Sequence, residues 1–393
     1  MSVFPTFHRH SLLTLPPSER VLCVPGDVDG DGADEVVIGG RLGAMGLWWI
    51  DRDPRDPNAP WIPHLIDDAY DRIEAGGVLF DFDGDGDLDF LSGGDWLGTK
   101  IYWWENPAPN GSPTERWTRR EVFELPIGQS HDQIVADVDG DGQPEVYFWN
   151  QRSRTLFVVT VPDDPRVSPW PDVRVVATTE TMEEGLMVAD VDGDGRDELL
   201  AGQSWYKYLK KNGGMYERHM FCNGWVSTRL ATADFDGDGM IEIVVSEGDA
   251  SLNNREYGRL AQFFRPARDL SRRWEYEVLH ERLLDPHSLV VGDFDADGRP
   301  DLFVGELGDP NGNHKHEPAV RIFFNRAGRL VEHVIDRNIT THEAKLMTID
   351  GKLGIVGKPY RNLAATATRG PEVDSIHWWA MEESQKAEVK RQN

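Results

Sequence analysis

The chain has 393 residues, 39% of them hydrophobic and 10% aromatic, enough apolar material to bury a large core and too much for a disordered chain. Its 41 basic and 68 acidic side chains leave a formal net charge of −27. That charge repels phosphate backbones and anionic lipid and argues against nucleic-acid and membrane partners. Only two cysteines occur, Cys23 and Cys222; they exclude a disulfide framework and fit a reducing compartment. No apolar run reaches signal-peptide or transmembrane length, so the expectation is a soluble, cytoplasmic protein.

In chain order, the first apolar segment, Phe7-His8-Arg9-His10-Ser11-Leu12-Leu13, reads as a strand without a unit of its own. A nine-residue string then recurs, Asp-x-Asp-(Gly/Ala)-Asp-Gly-x-x-(Asp/Glu), beginning at Asp27, Asp81, Asp137, Asp190, Asp234 and Asp293. The intervals are 54, 56, 53, 44 and 59 residues. A degenerate seventh copy follows, with Thr348 falling 55 residues after Asp293. Each copy sits between short apolar runs, such as Ile134-Val135-Ala136 before and Glu35-Val36-Val37-Ile38 after. An aromatic run comes next, as in Leu47-Trp48-Trp49, Ile101-Tyr102-Trp103-Trp104 and His377-Trp378-Trp379, and then a fourth segment such as Trp61 to Leu65 or Trp274 to Val278. Short β-branched and aromatic runs separated by Gly, Pro, Asn and Asp are strands, and helical periodicity is nearly absent.

Four strands per unit and seven units of about 50 residues predict an all-β fold, a seven-bladed β-propeller of four-stranded antiparallel blades. The seventh unit stops at Trp379 without a fourth strand. The N-terminal segment Phe7–Leu13 is expected to supply it and so close the last blade. Residues 1–380 are read as a single propeller and 381–393 as a polar tail. A closed ring is expected to be a monomer.

The repeated string has a chemistry of its own. Positions 1, 3, 5 and 9 are carboxylates in every intact copy. They are Asp27, Asp29, Asp31 and Glu35; Asp81, Asp83, Asp85 and Asp89; Asp137, Asp139, Asp141 and Glu145. The remaining three sets are Asp190, Asp192, Asp194 and Glu198; Asp234, Asp236, Asp238 and Glu242; Asp293, Asp295, Asp297 and Asp301. Oxygen ligands at alternating positions suit a hard cation, chiefly structural Ca²⁺, up to six in all. The opening half is like an EF-hand loop, but position 12 is Ile38, Ser92, Phe148, Ala201, Val245 or Val304 and never Glu. The loops therefore join strands rather than helices.

This motif, as in Asp190-Val191-Asp192-Gly193-Asp194-Gly195-Arg196-Asp197-Glu198, closely resembles the FG-GAP or VCBS repeats of integrin α-like propellers. The resemblance covers about residues 1–380 and implies the propeller fold and its calcium loops. It does not imply an activity, because propellers host enzymes and binding modules alike.

Six positions before each loop, at the start of each innermost strand, stand Val21, Ala75, His131, Glu184, Thr228, His287 and His342. In a closed ring, equivalent positions converge on the central channel at the end opposite the acidic loops. His131, Glu184, His287 and His342 are therefore candidate ligands of one transition metal, Zn²⁺ or another divalent ion, with an open position for substrate oxygen. Loops after the second strand of each blade are expected at the same rim. They offer Asp95, Trp96, Trp205, Tyr206, Lys207, Glu306 and Arg361 for substrate binding, with Glu247, His314 and His316 nearby. Lys358 and Tyr360 are candidates for acid or base work, alongside the three histidines. The paired tryptophans at 48–49, 103–104 and 378–379 repeat by position and are read as blade packing.

The histidine pattern resembles the propeller portion of aldos-2-ulose dehydratase and, more loosely, the propeller polysaccharide lyases. That likeness implies zinc at a propeller cleft and β-elimination from a sugar. The expected function is a metal-dependent lyase or dehydratase acting on a sugar or sugar-like small molecule. The alternative is a non-catalytic calcium propeller that binds carbohydrate or protein.

Overall fold

The computed structural model describes residues 4–14, 19–42, 46–53, 55–56, 59–70, 72–210, 214–266, 270, 272–308, 317–359 and 375–382. Among them are 28 strands and one short 3₁₀ turn, Ser251–Asn253. None of the helices is long and apolar enough to cross a membrane.

The fold is an all-β propeller of seven four-stranded antiparallel blades. The chain divides into two compact units, Ser18–Ser227 and Met1–Pro17 with Thr228–Asn393. The first unit holds four blades. They are β2(Glu19–Gly26) to β5(Ile62–Asp67), β6(Val78–Phe80) to β9(Thr118–Glu124), β10(Ser130–Ala136) to β13(Val173–Thr178), and β14(Leu186–Ala189) to β17(Met215–Met220). The second unit holds three: β18(Thr228–Ala233) to β21(Glu275–Leu283), β22(Pro286–Gly292) to β25(Leu330–Arg337), and β26(His342–Ile349) to β28(Ser375–Met381) completed by β1(Phe7–Thr14).

The expectation for the N-terminal segment holds. β1 lies antiparallel on β28, in register from Phe7 opposite Met381 to Thr14 opposite Ser375. Phe7 thereby enters an apolar cluster with Phe303, Phe324, Ile355 and Trp379. Within the four-blade unit, Phe82, Trp103, Phe148 and Trp170 fill the space between blades two and three. Trp49, Trp103, Trp104 and Trp379 are fully buried, so these members of the paired tryptophans are packing residues, as expected.

Each acidic loop joins the first strand of a blade to the second. An asparagine at the end of the third strand, Asn106 just past it and Asn325 as its last residue, then latches blades together in two places. Asn106 takes the Asp89 carboxylate on its backbone N–H at 2.7 Å and donates its amide to Val28 O, in the preceding loop, at 3.0 Å. Asn325 repeats this in the three-blade unit, with Asp301 at 2.8 Å and Phe235 O at 2.7 Å.

Candidate functional site

The acidic loops owe their shape to their own carboxylates. Asp81 accepts Gly84 N–H at 2.7 Å, Asp85 N–H at 3.1 Å and Gly86 N–H at 3.1 Å. Asp190 and Asp234 accept the equivalent three bonds. The ninth-position carboxylate caps position 2: Val28 N–H reaches Glu35 at 2.8 Å and Phe294 N–H reaches Asp301 at 3.0 Å. Position 6 is Gly throughout because its φ lies between +86° and +100°. Position 4 is nearer the left-handed helical well, so Ala296 is accommodated there at +59°.

Burial, reinforced by neighbouring carboxylates, drives the ninth-position acids upward. Glu35 is raised to about 8, and Asp89, Glu145, Glu198, Glu242 and Asp301 to about 7. Asp27 Oδ1 and Asp295 Oδ1 are buried without a hydrogen-bond donor. Oxygens of Asp27, Asp29 and Glu35 lie within 4.8 Å of one another, as do those of Asp137, Asp139 and Glu145. Converging, desolvated carboxylates of this kind fit a hard divalent cation.

At the start of the inner strands the structure builds a second, different cluster, within the three-blade unit. His287 and His342 are both buried and stack with ring centroids 4.3 Å apart and planes at 20°. β-Bulges put them there. The ladder slips between Pro286 and Ser288 on β22, and between His342 and Lys345 on β26. The second bulge holds Glu343 at φ +55°, a strained conformation for a non-glycine residue of the kind that gathers at functional sites.

Arg229 on β18 donates to His287 Nε2. A guanidinium is only a donor, so Nε2 carries the lone pair and the ring proton sits on Nδ1. That proton faces Gly248 O at 3.2 Å, with Asp249 Oδ1 at 3.4 Å. Glu343 Oε1 lies 4.0 Å from Nε2. Lys358, the last residue of β27(Lys352–Lys358), is the register partner of His342 on β26, and its Nζ lies 2.8 Å from His342 Nδ1. The ligand atoms of His287, His342 and Glu343 fall within 4.8 Å of one another, a donor set of two imidazoles and a carboxylate.

The other expected site residues are placed as follows. His131 and Glu184 belong to the four-blade unit. His131 Nδ1 lies 3.1 Å from Asp132 Oδ1, and Glu184 accepts Gln151 Nε2 at 2.6 Å. Asp95 is buried, caps the backbone N–H groups of Leu97 and Gly98, and pairs with Arg72 at 3.2 Å. Trp96 is 49% exposed, with Arg152 over its ring at 4.4 Å.

Four of the residues expected to bind substrate have other work. Trp205 and Tyr206 are buried blade packing, Trp205 stacking on His219 at 4.1 Å. Glu306 is buried and accepts Leu284 N–H at 2.8 Å and Ala319 N–H at 2.6 Å. Lys207 points into the fourth acidic loop, at the opposite end of its blade, because the register of Leu199 opposite Tyr206 sets it directly across from Glu198. His314, His316, Tyr360 and Arg361 lie outside the described residues.

Arg229, Glu343 and Asp249 were not expected at the site. Glu343 directly follows a chosen histidine, inside the bulge of β26, and Arg229 stands one residue past the chosen column on the regularly paired β18, meeting His287 where β22 bulges.

A family model for FG-GAP-like repeats matches residues 81–148, 137–201 and 190–245. No curated protein matches the chain in sequence. Among solved structures, the chain is similar to BBS1N, solved in complex with ARL6DN, at 10% identity and TM-score 0.55, with 96% of each chain covered. It is similar to the exotype rhamnogalacturonan lyase YesX at 12% identity and TM-score 0.51, covering 95% of this chain and 76% of that one. It is also similar to the β-propeller domain of Cps50 (Swd1) from Myceliophteria thermophila at 14% identity and TM-score 0.50, covering 95% and 100%. These likenesses are of fold; the matched sequence repeats identify FG-GAP-like units within a β-propeller.

Proposed function

We propose that the chain is a carbon–oxygen lyase, a dehydratase or glycoside lyase acting by β-elimination on a sugar or sugar-like molecule. In the same reading Ca²⁺ in the acidic loops is structural. The observation that carries the catalytic part is the buried, stacked pair His287–His342, with a guanidinium on one ring and an ammonium on the other.

The two rings have distinct duties. His287, its proton fixed toward Gly248 O, is an orienting and electrostatic group. His342 and Lys358 hold a proton between two nitrogens 2.8 Å apart and form the acid–base couple. As free base the couple takes the proton from the carbon next to a carbonyl or carboxylate. The C–H electron pair becomes the new C=C bond, the β C–O bond breaks, and the departing oxygen receives a proton from the couple. Negative charge building on the substrate oxygen is met by Arg229, in a buried setting where such a donor counts most. Zn²⁺ or another divalent transition metal, held by His287, His342 and Glu343, would supply Lewis-acid stabilisation of that same charge when bound. Arg229 donates to the His287 nitrogen that such an ion would use, so the guanidinium and the ion are alternative partners of that ring.

The test is incubation with a panel of neutral and carboxylate-bearing oligosaccharides, with and without added Zn²⁺, reading the ultraviolet absorbance of a conjugated, unsaturated product. Product from at least one substrate, lost about 100-fold or more in His342→Ala and Lys358→Met, supports the reading. No product from any member of the panel, or full activity in both variants, overturns it. Non-catalytic binding is favoured by one observation, half-exposed Trp96 backed by Arg152. It would be recognised by saccharide binding that Trp96→Ala abolishes while no product forms.

A further inference from the structure

The six acidic loops are alike in their four carboxylates but differ in the residue that faces the ninth position across the second and third strands of the blade. Pairings Val36–Ile50 and Phe90–Trp104 put Asp51 opposite Glu35 and Glu105 opposite Asp89. Thr160 stands opposite Glu145. Pairings Ile243–Phe263 and Leu302–Phe323 put Phe264 opposite Glu242 and Phe324 opposite Asp301. In the fourth blade the pair Leu199–Tyr206 puts Lys207 there.

The consequence is visible in the contacts. Lys207 Nζ bonds the Asp192 carboxylate, lies 2.7 Å from Asp194 and 3.5 Å from Glu198. It thus engages three of the four carboxylates that a cation would need. Arginines meet other loops only in part. Arg166 reaches Asp83 at 2.5 Å. In the sixth loop Arg326 reaches Asp295 at 2.8 Å and Asp297 at 3.3 Å, and Arg299 also pairs with Asp297, so two of the four carboxylates are met and Asp293 and Asp301 are left to their backbone donors.

We infer that the fourth loop is not a calcium site, and that Lys207 is its built-in cation. An ammonium carries one charge, offers donors only, and cannot share the same oxygens with a divalent ion without severe repulsion. The loop Asp190–Glu198 is therefore clamped by the chain itself and stays ordered when calcium is withdrawn. The other loops depend on the ion to offset their own repulsion. This inference rests on the calcium reading of the remaining loops.

The experiment measures calcium stoichiometry by equilibrium dialysis on wild type, Lys207→Met, Asp190→Asn and Lys207→Met/Asp190→Asn. It also follows hydrogen exchange of the wild type on chelation. Lys207→Met is expected to bind one more calcium than wild type, and the double variant to return to the wild-type number. Asp190→Asn alone is expected to leave that number unchanged. Chelation is expected to speed exchange at Asp27–Glu35 and Asp234–Glu242 while Asp190–Glu198 keeps its protection. Loss of one calcium in Asp190→Asn, or six calcium ions on wild type, would overturn the inference and leave the calcium reading intact. No calcium on any of the four proteins would overturn both.

Discussion

At the scale of single residues, the acidic loop shows how a backbone constraint selects an amino acid. Position 6 has φ of +90° at Gly32, while position 4 has +76° at Gly30, and neither has an atom within 4 Å of where a Cβ would stand. Space is therefore available at both, and only the dihedral differs. Gly32→Ala is expected to cost about 1–3 kcal/mol of stability and Gly30→Ala clearly less, since Ala296 already occupies that position in the sixth loop. Denaturant unfolding of the two variants checks this; equal costs would contradict it. A second residue-scale expectation concerns the latch. Asn106→Ala strips the buried carbonyl of Val28 and the partly buried carbonyl of Leu88 of a donor and should cost about 1–3 kcal/mol. A change within experimental error would show that the latch contributes nothing to stability.

The same scale shows what the sequence could and could not display. The loop carboxylates were legible because six copies repeat the same positions. The pair His287 and His342 was legible because both fall in one column. Glu343 was not, because it stands in a β-bulge after His342 and no repeat reports a bulge; Arg229 was not, because it lies one residue past the column on a regularly paired strand. Lys207 was hidden for a different reason. It neighbours Trp205 and Tyr206 in sequence, but the three are successive residues of one strand rather than of a rim loop, and the register set by Leu199 opposite Tyr206 puts Lys207 level with Glu198 at the acidic-loop end.

Among the elements, β1 carries the most consequence for its length. It pairs with β28 over its whole extent and inserts Phe7 beside Trp379. The seventh blade has only three strands of its own, so its outer edge would otherwise present unpaired N–H and C=O groups. Deleting residues 1–14 should lower the melting temperature and expose Trp378 and Trp379 to quenchers. Phe7→Ala should cost about 3 kcal/mol without that exposure. A truncated protein that melts like wild type would refute the role given to this strand. The blades themselves were readable as elements because apolar alternation, glycine and turn residues recur at each boundary. The division into a four-blade and a three-blade unit has no such marker, since the chain passes from Ser227 to Thr228 with no linker.

On the scale of the whole molecule, the acidic loops couple stability to both calcium and pH. The ninth-position carboxyls rise on folding from an ordinary value to about 7, or about 8 for Glu35. The metal-free native state then binds protons that the unfolded chain has already released. Its stability must fall as pH rises from about 4.5 towards 8. Chelated protein should therefore melt at a lower temperature at pH 8 than at pH 5.5. Excess calcium should flatten or reverse that slope, because the ion replaces the proton as the partner of each carboxylate. A chelated protein whose melting temperature climbs across the same interval would contradict this linkage.

The claim on which the functional reading turns is that the His342–Lys358 couple removes a proton from carbon. Proton magnetic resonance of a responsive substrate in heavy water, with calcium-saturated enzyme, tests it most directly. The C–H signal next to the carbonyl or carboxylate is expected to disappear by elimination or exchange in wild type, and to persist in a folded His342→Ala variant. A signal that persists with wild type, or vanishes at the same rate with His342→Ala, would contradict it.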